Sequence, residues 1–204
     1  MVQVLGLSPE WFFPADSILG FISVIFAFFV CLVSYRAYLF SRNNKYLLWG
    51  LAFFLLAGGG LIRVITNLMV SYVFDPVVFK IGYSSFILAT IAAFSLILFL
   101  RGDRLRTVLL VYLLTIGLTY FSSLYYRSFY LATFLLTGVI AWDFYDNARK
   151  RGGVAKLTFA SFSVLSLAQL LFLASLTYPM HVVAHVFQFV SYGLLFIVMW
   201  GVGK

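Results

Sequence analysis

The last apolar stretch of the chain carries His181, His185, Gln188 and Tyr192, spaced i, i+4, i+7 and i+11. On a helix that spacing lines one face, and the residues between are chiefly Val and Phe. These are the only two histidines in the chain. Two imidazoles one turn apart point the same way, which is metal-ligand spacing. An earlier apolar stretch holds Arg63 with Asn67 and Ser71 one and two turns on, and Lys80 with Ser84 opens the next. Gln169 lies deep in the penultimate stretch, and Thr115, Thr119 and Ser122 in the fourth. Arg63 follows Gly58-Gly59-Gly60, a run of small residues that reads as a notch for close helix packing.

The elements that must position these groups are membrane helices. The chain is 64% hydrophobic and only 10% charged, so lipid rather than water must solvate most of its surface. The apolar runs are continuous, which excludes a β-barrel. Seven segments are expected, at about 16–40, 46–74, 77–100, 107–124, 129–145, 154–178 and 180–202. Together they form one all-α integral membrane domain over residues 1–204, a seven-transmembrane helix bundle. Asp75-Pro76 and Pro179 mark two corners. Met1 to Phe13 carry no basic run of the kind that opens a signal peptide, so the first segment is expected to remain. Cys31, the single cysteine, reads as apolar filler and leaves no Cys-based metal site.

Charge sets the expected orientation. Arg36, Arg42, Lys45, Arg101, Arg104, Arg106, Arg149, Lys150, Arg151, Lys156 and Lys204 are eleven of the fourteen Lys and Arg, and all lie in or beside the alternate breaks after segments one, three and five or at the C-terminus. Excess basic residues mark the cytoplasmic side, so the N-terminus is expected outside and the C-terminus inside, in the cell membrane. The basic residues flank membrane helices and form no dedicated domain, so nucleic acid is not a partner. The bilayer is one partner. The basic breaks suit a cytoplasmic signalling protein, and the bundle leaves room for self-association.

Orientation places the polar residues together. Arg63, Asn67, Lys80, Gln169, His181, His185, Gln188 and Tyr192 form the candidate ligand-binding set, most of it in the outer half. Asp16 and Asp75 read as rim residues, which leaves Arg63 without an evident carboxylate partner. A charge inside the bilayer is costly and points to function. The expectation is an outward-facing cationic pocket for an anion or small polar ligand. No catalytic residue, metal ligand set or cofactor is assigned.

Two resemblances bear on this. H-x-x-x-H on a seventh helix is similar to the alkaline ceramidase and adiponectin-receptor superfamily, whose zinc hydrolase site adds a further His on the second helix, an Asp and a Ser. Only His181 and His185 match. Two ligands fall short of the three that catalytic zinc needs. Ser34-Tyr35-Arg36-Ala37-Tyr38 and His185-Val186-Phe187-Gln188-Phe189-Val190-Ser191-Tyr192 resemble stand-alone seven-helix sensor modules of prokaryotic membranes. That resemblance implies a ligand-sensing module signalling to a separate cytoplasmic partner. A small transporter or channel subunit is the alternative, and the polar residues thin toward the inner side, which favours a one-sided pocket. A zinc-dependent lipid hydrolase and a structural subunit rank lower.

Overall fold

The computed structural model describes residues 12–72, 75–100, 125–175 and 177–202. They form six helices: α1 Phe12–Ser41, α2 Asn44–Tyr72, α3 Pro76–Phe99, α4 Tyr125–Arg151, α5 Gly153–Ala174 and α6 Tyr178–Val202. The shortest has 22 residues and the longest 30. At 1.5 Å per residue that is roughly 33–45 Å, and a bilayer core is about 30 Å. All six are long and apolar enough to cross a membrane. The segment expected at 107–124 and the basic break at 101–106 lie outside the described residues.

Local chemistry sets the ends. Asp75 caps α3 by accepting from the backbone N–H of Val77 at 2.7 Å, with Pro76 as the first helical residue. Pro179 sits in the first turn of α6, where its missing N–H costs nothing. α4 runs six residues past the expected end at Tyr145, because Ala148 still packs inside the bundle. Gly152 and Gly153, at φ 64° and 47°, then turn the chain. α5 stops at Ala174 rather than 178, where Ser175 takes an extended backbone.

The helices pack in the order α3, α2, α1, α6, α5, α4, with little direct contact between α3 and α4. Neighbours along this order are antiparallel, except α1 and α6. Asp16 meets His181 and Phe29 meets Phe196, so those two run side by side in the same direction. Glycines let backbones approach. A Cβ on Gly60 would come within 2.8 Å of Val24 on α1, and one on Gly82 would collide with Thr66 on α2. Arg42, Lys45, Arg149, Lys150 and Lys156 are exposed at the end opposite Asp16.

Most buried hydroxyls are satisfied within their own helix. Ser34, Thr90, Thr137 and Ser161 each donate to the carbonyl one turn earlier on their own helix. That bond satisfies them where water is absent.

Candidate functional site

α1 begins a turn before the expected Asp16, and this changes the site. With helix from Phe12 onward, Asp16 lies inside the bundle at 4% exposure instead of at its rim. It is the carboxylate partner that Arg63 lacks in the sequence reading. Arg63 Nη2 donates to Asp16 Oδ1 at 2.8 Å and to Oδ2 at 2.7 Å. Asn67, one turn on along α2, donates to Oδ2 at 2.7 Å. The Tyr83 hydroxyl of α3 donates to Asn67 Oδ1 at 2.5 Å and so fixes the amide. From α6, His181 Nε2 and His185 Nε2 each lie 2.9 Å from Asp16 Oδ1.

One carboxylate therefore joins α1, α2 and α6, and Asn67 extends the join to α3. An ionised carboxylate only accepts, so both imidazoles must present Nε2–H to it. The four donors fill its lone-pair sites, which offsets the desolvation of a buried ion pair. Two apolar rings enclose the cluster. The Arg63 guanidinium carbon is 5.4 Å from the Phe86 ring centre. Phe172 meets each histidine edge-on at 4.9 Å.

Beside the cluster lies a cavity of about 50 Å³. At roughly 10–15 Å³ per water it has room for a few water molecules or one small polar molecule. Arg63, Gln169, His185, Gln188, Tyr192 and Thr90 contribute its polar lining. Gln169 is oriented by Thr133, whose hydroxyl donates to its Oε1 at 3.0 Å. Gln188 Nε2 reaches the Tyr192 hydroxyl at 3.4 Å. His185 Nδ1 is buried and has no hydrogen-bond partner among the described residues.

Of the eight candidate residues, Arg63, Asn67, His181 and His185 meet at Asp16. Arg63 and His185, with Gln169, Gln188 and Tyr192, line the cavity. Lys80 does neither: it is exposed on α3. Arg63 is not a lone cation, since Asp16 balances its charge, and the pocket loses the positive character expected of it. The candidate set left out Asp16, Tyr83 and Thr133. Phe12, Phe13 and Pro14 before Asp16 were the available signal, because Pro suits a first helical turn and starts the helix ahead of the acid.

Fold and site thus define a multi-pass helical membrane protein with a buried Asp–Arg–His–His cluster. Comparison of the chain with family models, curated proteins and solved structures gave no match.

Proposed function

We propose that this protein is a ligand-sensing membrane module whose input is the Asp16 cluster and its adjoining cavity. The carrying observation is that His185 belongs to both. Its Nε2 holds the carboxylate that joins three helices, and the residue also lines the cavity. A small polar ligand there competes for His185 or Arg63 and alters that join. Such a ligand shifts the helices only by its differential affinity for two arrangements. α1 and α6 then carry the shift along their shared direction to the opposite end.

In this reading the segment at 107–124 supplies a seventh helix. The N-terminus is outside the cell membrane, and the exposed Arg42, Lys45, Arg149, Lys150 and Lys156 form the cytoplasmic face for a signalling partner. A transport path is less well supported, because among the described residues the rings of Trp49, Phe53, Phe144 and Phe162 pack together between α2, α4 and α5.

The test is a distance between spin labels at Leu39→Cys on α1 and Trp200→Cys on α6, in a Cys31→Ser background. Both positions are exposed. Divalent ions, small anions and small polar compounds are added to the protein in nanodiscs. At least one is expected to change the distance, and Arg63→Gln to abolish the response. A distance insensitive to every addition overturns the sensing reading.

A further inference from the structure

The sensing reading leaves the ligand's chemistry open, and the cluster narrows it. The three atoms that converge, Asp16 Oδ1, His181 Nε2 and His185 Nε2, are a carboxylate oxygen and two imidazole nitrogens. One ligand atom from each of these residues lies within 4.8 Å of the others, and all three residues are buried. We propose that Asp16, His181 and His185 bind a first-row divalent transition ion of the zinc class; the inference rests on the sensing reading and names its ligand.

Geometry supports it first. Zinc–ligand bonds of about 2.0–2.2 Å put ligand atoms about 3.3 Å apart in a tetrahedron. Each histidine nitrogen is 2.9 Å from Oδ1, so each needs to move off that oxygen by only a few tenths of an ångström. Both histidines come from one helix face and need no rearrangement of α6. Two nitrogen donors disfavour calcium and magnesium, which take oxygen. Three protein ligands leave a fourth position for water, and the cavity beside His185 can supply it.

The surrounding groups fit. Asn67 holds Oδ2 and is itself held by Tyr83, which turns Oδ1 toward the imidazoles. Such outer contacts orient a ligating carboxylate. A ligating histidine needs a bare Nε2, so each imidazole proton moves to Nδ1. For His185 that Nδ1 is the buried atom without a partner among the described residues, and as N–H it can donate to a cavity water.

Arg63 opposes the ion by charge. It keeps Oδ2 and gives up Oδ1, drawing back along the cavity it already lines. Removing that charge strengthens binding, so Arg63→Gln takes up zinc more tightly than the wild type.

The experiment uses the full chain in nanodiscs, stripped with a chelator and dialysed against zinc. Metal content is read by elemental mass spectrometry, and cobalt substitution by its visible ligand-field absorption. One zinc per chain, a tetrahedral cobalt spectrum and tighter binding in Arg63→Gln support the site. The His181→Ala/His185→Ala protein should lose binding by more than the 10–100-fold expected for the outer-shell change Asn67→Ala. Less than one zinc per chain at saturation, or full binding in the double-histidine variant, overturns it. If the double variant does not fold, the wild-type stoichiometry and cobalt spectrum decide. Zinc bound at one per chain, with a spin-label distance that answers to no addition, keeps the site and overturns the sensing reading. A distance that answers to another ligand, with less than one zinc bound per chain, keeps the sensing reading and overturns the metal.

Discussion

The two halves of the bundle are held by different forces. At one end, side chains from α2 and α6 meet on the single carboxylate of α1 at 2.7–2.9 Å through charged and amide groups, and Tyr83 of α3 holds the amide. In the other half, Trp49 lies 5.9 Å from both Phe53 and Phe162, and Phe144 stacks on Phe162 at 5.6 Å. Lipid tails are as apolar as these rings, so burying them against one another gains little transfer energy and works by close fit. Fit of that kind tolerates substitution of similar volume. The polar end is directional: Asp16 accepts only from donors correctly placed. The aromatic half therefore supplies cohesion, and the polar half selects which helices sit together.

The largest expected effect breaks the polar half. Asp16→Ala removes the carboxylate that balances Arg63 and should cost about 3–5 kcal/mol in a detergent unfolding assay. Adding Arg63→Ala should recover part of that loss, since the two residues share one interaction. A cost for Asp16→Ala smaller than that of an aromatic truncation would reverse the comparison. Phe162→Ala, at a fully buried ring, should cost about 3 kcal/mol, the low end for a phenylalanine because the lost burial is into lipid-like surroundings. Unlike Asp16→Ala, it should be largely restored by Phe162→Leu in the same assay.

Gly82→Ala sharpens the boundary between the halves. Its methyl would meet Thr66, one residue before Asn67, so a loss of about 1–3 kcal/mol is expected. That variant should also weaken zinc uptake, because it moves the Asn67–Tyr83 support. Lys80→Ala is the smallest. An exposed side chain outside the cluster should change stability by no more than about 0.5 kcal/mol and leave zinc uptake as in the wild type.

Much of the fold was legible because lipid imposes a simple rule: every backbone group must be bonded within its segment. Continuous apolar runs therefore read as helices, and the six described helices match six of the expected segments within a few residues, except at α4. That helix overran because its last turns are interfacial, with buried Ala148 among the polar Asp146, Arg149 and Lys150. The site was half legible. Periodicity put His181 with His185, and Arg63 with Asn67. It could not join the two pairs, since they lie more than a hundred residues apart. Asp16 was misplaced by one turn, and in a helix one turn decides between rim and interior.

What the sequence by itself determined is thus the local matter: membrane helices, their breaks, the distribution of basic residues and two polar faces. These follow from side-chain hydropathy and the 3.6-residue repeat, which need no knowledge of neighbours. Only the tertiary structure decided that the faces converge on Asp16, that Lys80 stays apart and that Arg63 is balanced. Charge pairing depends on distances of a few ångströms between helices, set by glycine contacts such as Gly60 on Val24, and no single helix contains that information.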